Sequence, residues 1–419
     1  MNPFEQKPMN IEDGFMDWAT MYPQPYDKRT VDPYTKIRII LMNGIEVEAA
    51  IFKHQFHRNC QNNDIRREIG LTRRIEQQQQ KRINWLKPID EKVLETAIGY
   101  EHLAVDLTAW LALNEPDLNV KRALDFALLE DFDHLYRFAN LLNLDEQVPA
   151  EFLVKKYVDI TPGRPTIAEH RHPFDSIRNP ADFMTVSNQT KLNALIIVAA
   201  EQQTMNFYMN LGPYYYNDLG RQLYQEIAMI EEQHVTHYGS LLDPKATWLE
   251  NMLLHEYMEC YLYYSFYQDE LDPHVKSIWE MHFEQELAHL HKAAELLAKY
   301  ENKQWQQVIP EGAFPKLLQF HDTRDYLRKV LGEQITLTAN RENYVEVHDL
   351  PQNHEFFFYQ DKINHDVDSV PSHMVVAYHQ QQFDTDYRSE SQPHPVNELR
   401  DRKVDNTNIG RRATSMALM

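Results

Sequence analysis

The chain has 419 residues, of which 43% are hydrophobic, and its formal net charge is −21 at pH 7. This length can supply the cores of two or three domains, and so acidic a balance argues against nucleic acid or an anionic membrane as a main partner. Its two cysteines, Cys60 and Cys260, cannot form a disulfide framework and indicate a reducing compartment. No run approaches the ~18 apolar residues of a membrane span, and the N-terminus lacks the pattern of a signal peptide, so we expect a cytoplasmic protein.

Residues 1–88 form the first of three regions and open with a proline-rich arm. In the run KIRIILMNGIEVEAAIF that follows, the pair Asn43-Gly44 lies between two segments rich in β-branched residues, which is typical of a β-hairpin. The next segment, DIRREIGLTRRIEQQQQKRINWL, predicts a basic amphipathic helix. We expect its arginines on a solvated face or a contact between subunits of a homo-oligomer, rather than on nucleic acid.

Residues 89–300 are predicted to be helical throughout, apart from one proline-rich connection at about 144–188. Residues 301–419 begin with a predicted helix at 314–331. Three runs, NYVEVHDL, HEFFFYQD and HMVVAYHQQQF, then predict short strands. About 35 polar residues at the end predict an extended or disordered arm.

The segment MIEEQHVTHYGSLL points an acid and an imidazole at the protein core. No glycine or proline interrupts the preceding residues, so the segment is predicted to be helical, and Glu231 and His234, three residues apart, share a helix face. That face also carries a 3.6-period stripe of apolar residues. Because buried polar groups need partners, these two side chains need a counter-charge or a metal.

The same arrangement recurs in the helical region. Three pairs of the form acid-x-x-His each have a Glu 30 residues earlier, with a turn sequence at the midpoint. The three sets are Glu101 with Asp131 and His134, Glu201 with Glu231 and His234, and Glu256 with Glu286 and His289. Two antiparallel helices joined at such a turn hold the first Glu level with the pair. Several buried carboxylates without nearby cations would be costly, and divalent metal resolves the conflict. Carboxylate oxygen and imidazole nitrogen suit iron, manganese or zinc, and favour a dinuclear iron or manganese site.

This pattern resembles the ferritin-like superfamily of di-iron and di-manganese carboxylate proteins, which includes rubrerythrins and bacterial di-iron oxygenases. The resemblance covers about residues 89–300, with two departures: the chain has three such hairpins where the family needs two, and Asp131 stands where a Glu is expected. It implies a mainly α protein with an antiparallel bundle of about six core helices, to which the N- and C-terminal flanks add small β elements.

The resemblance further implies an oxidoreductase that activates O₂ or peroxide to oxidise a small-molecule substrate, at two transition-metal ions. We expect iron first and manganese second, with zinc as a further candidate. The alternative is a protein that stores iron or keeps the metal for structure. Tyr208 and Tyr100 adjoin the proposed ligands and are candidates for electron transfer. The alternative role for both tyrosines is packing in the core of the bundle.

Which two hairpins build the site stays open in the sequence. The long connection suits a crossover between hairpins, which pairs 101–134 with 201–234. Residue type instead favours 201–234 with 256–289, since these offer four Glu and two His. Topology gives the first pairing a narrow preference. The segment AEHRHPF carries Glu169, His170 and His172, which are candidates to cap a site or bind a separate metal; we expect an exposed loop instead.

Overall fold

The computed structural model describes residues 1–411, and these are mainly helical, with one small sheet, as predicted. The helices are α1 (Trp18–Met21), α2 (Pro33–Asn59), α3 (Asn63–Asn84), α4 (Val93–Asn114), α5 (Leu118–Glu146), α6 (Glu151–Val154), α7 (Thr166–Glu169), α8 (Asn188–Leu211), α9 (Asp218–Gly239), α10 (Trp248–Asp269), α11 (Pro273–Glu301), α12 (Arg324–Gln334), α13 (Glu355–Ile363) and α14 (Pro371–Phe383). The strands β1 (Leu337–Asn340) and β2 (Asn343–Glu346) pair antiparallel. None of the helices in residues 1–411 is long and apolar enough to cross a bilayer.

Eight long helices form four antiparallel hairpins, α2–α3, α4–α5, α8–α9 and α10–α11. Hairpins α4–α5 and α8–α9 pack on each other as one four-helix bundle, and α2–α3 packs on α10–α11 as a second. Helices α2, α4, α8 and α10 also contact one another and join the two bundles. The expected six core helices are therefore too few, because α2 and α3 belong to the core as well.

Helices α8–α11 repeat helices α2–α5 at an offset of 155 residues along the chain. Glu46 and Glu201, for example, are separated by this distance in sequence. At that offset α3 matches α9 at 22 residues, α4 matches α10 at 22 residues, and α5 matches α11 at 29 residues. The caps match too: the side chain of Asp117 accepts hydrogen bonds from two backbone N–H groups at the start of α5, and Asp272 does so at α11. We call residues at this offset counterparts.

The predicted β-hairpin around Asn43-Gly44 is wrong, because the whole run belongs to α2. Most residues of α2 are buried on all sides, so tertiary packing overrides the β-branched propensity of the sequence. Gly44 does not form a turn. A Cβ at this position would lie 2.9 Å from Cβ of Gln203, so Gly44 allows the close approach of α2 and α8.

The connection between α5 and α8 is the predicted crossover, and its middle, residues 158–171, is buried. Asp133 of α5 accepts hydrogen bonds from the backbone N–H groups of Gly163, at 3.0 Å, and Thr166, at 2.8 Å. A Cβ on Gly163 would lie 2.4 Å from the Leu129 carbonyl oxygen, so only glycine fits there. Glu169, at the end of α7, has no exposed surface. The crossover therefore packs directly on the first bundle.

The C-terminal flank differs from its prediction in three places. The first helix after residue 301 is α12, which begins ten residues later than expected. The runs HEFFFYQD and HMVVAYHQQQF, predicted as strands, belong to the helices α13 and α14. Of the predicted strands, only NYVEVHDL contains one, because β2 occupies its first half. The sheet therefore comes from the C-terminal flank alone within the described residues. The polar tail is ordered as far as residue 411: Asn406 is buried and donates a hydrogen bond to Asp133 at 2.8 Å. Residues 412–419 lie outside the described part.

Candidate metal centre

Six acidic and imidazole side chains meet inside the first bundle, and we call them the first cluster. Each is at most 1% exposed. Helices α4 and α5 contribute Glu101, Asp131 and His134, and helices α8 and α9 contribute Glu201, Glu231 and His234. The structure thus brings together the two hairpins that the crossover connects, rather than the two that best match by residue type.

The hairpin geometry explains why these residues meet. α4 and α5 are joined by only three residues, and α8 and α9 by six, so residues 30 apart in sequence lie level across each hairpin. An acid and a histidine three residues apart then project from the same face of α5 or α9. With α4 packed on α8 and α5 on α9, all six side chains face the centre of the bundle.

The first cluster divides into two groups of potential ligands that share two carboxylates. Glu101 and His134 complete one group with Asp131 and Glu231, and Glu201 and His234 complete the other with the same two acids. Within each group the ligand atoms lie within 4.8 Å of one another. Asp131 and Glu231 are therefore placed to bridge two ions, each of which would also have one carboxylate and one imidazole of its own.

Both imidazoles present Nδ1 to the first cluster. Nδ1 of His134 lies 3.0 Å from Oε1 of Glu231, and Nδ1 of His234 lies 3.2 Å from Oε2 of the same carboxylate. Nδ1 of His234 is also 3.2 Å from Asp131 and 3.6 Å from Glu201. A single carboxylate therefore stands between two imidazole nitrogens, which is the arrangement expected of a bridging ligand.

A carboxylate outside the first cluster holds the far nitrogen of each imidazole. Nε2 of His134 lies 2.9 Å from Glu169, and Nε2 of His234 lies 2.8 Å from Glu130. A carboxylate that accepts the Nε2 proton fixes the tautomer, so the Nδ1 lone pair is directed at the cluster. The sequence predicted an exposed loop at Glu169 and gave no role to Glu130. The only signal for Glu130 in the sequence is its position directly before Asp131.

The two outer carboxylates differ in their own surroundings. Burial opposes ionisation of Glu130, but the guanidinium groups of Arg171 and Arg164 lower its pKa well below the usual range. Glu169 has no arginine partner in the described chain, and burial raises its pKa to about 8. His234 therefore contacts a carboxylate that stays ionised, whereas burial disfavours the ionised form of the carboxylate that His134 contacts.

Three of the four ligand carboxyls of the first cluster have raised pKa values; the exception is Glu231, whose pKa is lowered by hydrogen bonds from the two imidazoles against the effect of burial. Burial raises the pKa values of Glu101, Glu201 and Asp131. Burial alone would lower the pKa values of His134 and His234, but the carboxylates around them raise these values well above normal. Binding of a divalent ion would displace these protons, since metal ligands must be deprotonated.

The two predicted tyrosines lie in different environments. The hydroxyl of Tyr208 donates a hydrogen bond to Glu101, and burial raises its pKa well above the usual range. Tyr208 therefore touches a ligand of the first cluster. Tyr100 does not: its hydroxyl accepts a hydrogen bond from Gln203 at 2.8 Å, and its ring stacks on Phe207. The structure thus corrects the grouping of Tyr100 with the site, because its side chain points toward the junction between the bundles.

Glu256, Glu286 and His289 lie in a separate, second cluster inside the other bundle. There they meet Glu76 of α3, and the ligand atoms of these four residues lie within 4.8 Å of one another. Sequence reasoning missed the contribution of α2 and α3. The signal was present, since Glu46 precedes Glu76 by 30 residues, but Gln79 replaces the histidine that marked the other three hairpins.

The chemistry of the first cluster fits divalent transition metal. Apart from the two imidazoles, no hydrogen-bond donor of the described residues reaches the oxygens of Asp131 or Glu201, although both side chains are buried. Such orphaned carboxylates are costly without a cation. Four carboxylates and two divalent ions also balance in charge.

Comparison of the chain with protein-family models, with curated proteins and with solved structures gives no match.

Proposed function

We propose that the first cluster binds two transition-metal ions, iron first and manganese second, and that the protein is an oxidoreductase activating O₂ or peroxide toward a small-molecule substrate. The observation that carries the proposal is the position of Glu231 between Nδ1 of His134 and Nδ1 of His234. It supports membership of the ferritin-like di-metal carboxylate proteins, in which two helices each supply a Glu and two others each supply Glu-x-x-His. Asp131 takes one of those Glu positions.

Two ions that share bridging carboxylates supply, when bound, the electrons needed to reduce an O–O bond. The chain's own residues bind and orient them: Glu169 and Glu130 fix the imidazoles, and Arg171 and Arg164 keep Glu130 ionised. Burial of the first cluster excludes bulk water from the reaction. The hydroxyl of Tyr208 keeps a proton beside Glu101, one of the carboxylates that is not shared.

A cavity beside the first cluster supports a reaction with a substrate rather than storage of iron. Its volume is about 860 Å³, which is large enough for a drug-sized molecule, and Tyr208, His170, Arg171 and Arg221 contribute to its lining. Tyr208 and Arg171 thus link the cavity to the first cluster, through Glu101 and Glu130. Acidic groups, Asp218 and Glu232, line the same wall, so the mixture of charges favours a polar substrate.

The test is to load metal-free protein with ferrous iron without oxygen, and then to add O₂ or peroxide. We expect oxidant consumption linked to iron held at the first cluster, with uptake that ends once the buried ligand positions are filled. Asp131→Ala should abolish the consumption of oxidant and the iron held at the first cluster, because Asp131 belongs to both of its ligand groups. Glu232→Ala is the matched control for metal content, since this acid lies on α9 beside Glu231 but is exposed.

Two results would contradict the proposal. Uptake of tens of iron ions per chain would indicate a storage protein, and two bound ions without any reaction with O₂ or peroxide would indicate a structural site. To guard against a variant that fails to fold, Asp131→Asn is measured alongside, with helix content followed by circular dichroism. This substitution keeps the size of the side chain while removing its charge.

A further inference from the structure

The second cluster is a buried set of potential ligands that the proposed function does not use. Its members Glu76, Glu256, Glu286 and His289 are all at most 1% exposed. Nδ1 of His289 lies 3.0 Å from Glu286, 3.6 Å from Glu76 and 3.9 Å from Glu256. As in the first cluster, Nδ1 of an imidazole faces a group of carboxylates.

The internal repeat shows which part of the first cluster this set corresponds to. The counterparts, taken at the 155-residue offset, are Glu76 with Glu231, Glu256 with Glu101, Glu286 with Asp131, and His289 with His134. These partners are the four members of one ligand group in the first cluster. All four positions of that group therefore keep a carboxylate or an imidazole in the second bundle.

Every loss falls in the other group. The counterpart of His234 is Gln79, whose amide donates a hydrogen bond to Glu286 at 2.7 Å and offers no imidazole. The counterpart of Glu201 is Glu46, which accepts a hydrogen bond from Tyr263 instead of facing a histidine. One position for an ion has thus lost its imidazole, and one oxygen of its unshared carboxylate accepts a hydrogen bond from a tyrosine.

A lysine brings positive charge to two carboxylates of the retained ligand group. Lys53 is the counterpart of Tyr208, and its buried ammonium contacts Glu256, at 2.8 Å, and Glu76. Glu76 corresponds to Glu231, the carboxylate shared by both ligand groups of the first cluster. A fixed cation therefore adjoins the carboxylate that the missing second ion would share.

We propose that the second cluster binds a single divalent transition-metal ion through Glu76, Glu256, Glu286 and His289, and that Lys53 supplies part of the positive charge that the absent second ion would bring. The protein then contains one dinuclear and one mononuclear centre, derived from the same four-helix repeat. The metal would be of the class that accepts mixed carboxylate and imidazole ligands, namely iron, manganese or zinc.

Unpartnered groups around the second cluster support the need for a cation beyond Lys53. Both oxygens of Glu259, which is fully buried, lack a hydrogen-bond partner among the described residues. Together with Glu46 and the three ligand carboxylates, five carboxyl groups surround one ammonium. The second cluster should also hold its ion more weakly than the first, because Nε2 of His289 has no carboxylate partner among the described residues. Loss of such an outer contact typically weakens metal binding ~10–100-fold.

The experiment uses the full chain loaded with Mn²⁺, with metal content measured by mass spectrometry and the ions observed by electron paramagnetic resonance. An isolated Mn²⁺ ion gives a resolved six-line signal, whereas two ions bridged by carboxylates couple and lose it. We expect about three ions per chain, including one isolated ion. Glu286→Ala should remove the isolated signal and leave the coupled pair, and Asp131→Ala should do the reverse. Glu284→Ala, an exposed neighbour on α11, is the control.

Absence of an isolated signal in the wild-type protein would overturn the proposal, as would a signal that survives Glu286→Ala. Neither result depends on the reaction of the first cluster, so the two proposals fail separately.

A second variant tests the role of Lys53 by gain of metal. Exchanging Lys53 and Gln79 for their counterparts, in Lys53→Tyr combined with Gln79→His, should add one ion per chain and convert the isolated signal to a coupled one. An unchanged isolated signal would contradict the role assigned to Lys53.

Discussion

Nε2 of His134 lies 2.9 Å from a carboxylate oxygen of Glu169, which comes 35 residues later in the chain and belongs to the crossover rather than to the bundle. The segment that connects the two hairpins therefore also orients one of their ligands. Binding of metal and packing of the crossover are expected to depend on each other, because each fixes a group that the other needs.

The first prediction is that Glu169→Ala weakens metal binding at the first cluster ~10–100-fold, the range typical for loss of an outer-shell partner. The imidazole of His134 would lose the contact that fixes its tautomer. Competition with a chelator of known affinity measures the change. Glu169→Gln should lose less, since its amide oxygen can still accept the Nε2 proton. Equal losses in both variants would show that the charge of Glu169, and not the orientation of His134, is what matters.

The second prediction concerns Arg171, whose guanidinium contacts Glu130 and so acts on His234 from a distance. Arg171→Met should lower the free energy of unfolding by ~3–5 kcal/mol, because it leaves a buried carboxylate with one arginine instead of two. Chemical denaturation of metal-free protein gives this value. The double variant Arg171→Met with Glu130→Gln should recover part of the loss. A double variant that is no more stable than the single one would mean that Arg171 stabilises the fold through other contacts.

The ligands of the first cluster were predictable because their chemistry repeats at a fixed spacing in sequence. An acid three residues before a histidine, with a Glu 30 residues earlier, needs only the regularity of a helical hairpin to meet in space. The 30-residue spacing alone also relates Glu46 to Glu76. The full rule did not find this hairpin because Gln79 stands where the histidine should be, and because Asn43-Gly44 suggested a turn where α2 passes close to α8.

The contributions of the crossover and the C-terminal flank were not predictable from local pattern. Arg164, Arg171 and Glu169 lie in a proline-rich segment whose composition is typical of a surface loop, and only tertiary packing buries them. Likewise, the short aromatic run of α13 has a composition typical of a strand, yet Phe356 and Phe357 of that helix pack beside Val347 and Leu350 in a small separate core. Short apolar runs do not distinguish the two periods.

The third prediction is that metal stabilises the protein more as pH rises. The pKa values of Glu101, Glu201, His134 and His234 are raised in the folded metal-free protein, so the folded state binds more protons than the unfolded state above about pH 5. The stability that these four groups contribute to the metal-free protein is therefore lost as pH increases through the neutral range. Metal binding needs these groups deprotonated and strengthens over the same range.

Melting temperatures with and without Mn²⁺, between about pH 5.5 and 8, measure this difference. The shift caused by Mn²⁺ should grow with pH, and in Glu231→Ala it should fall to the part contributed by the second cluster. The pKa of Glu231 itself is lowered by hydrogen bonds from the two imidazoles, against the effect of burial, so its own titration lies below this window. A shift that is constant with pH would contradict the protonation states assigned to the first cluster.

The last prediction separates a role of Tyr208 in the reaction from a role in packing. Its hydroxyl donates to Glu101 while the side chain also lines the large cavity, so it is the contact between the ligands and the space assigned to a substrate. Tyr208→Phe keeps the ring, and with it the packing against Phe138 and Tyr224. Loss of one buried hydrogen bond to a carboxylate should lower the free energy of unfolding by only ~1.5–3 kcal/mol, and the content of metal should be unchanged. The rate of O₂ or peroxide consumption should fall at least ~10-fold if the proton on Tyr208 is used in the reaction, as is typical for general acid–base groups.

Tyr224→Phe is the matched control, because the hydroxyl of that buried tyrosine has no hydrogen-bond partner among the described residues. Equal rates in the wild-type protein and both variants would reduce Tyr208 to a packing residue, whereas loss of metal in Tyr208→Phe alone would assign its hydroxyl to holding Glu101 in place.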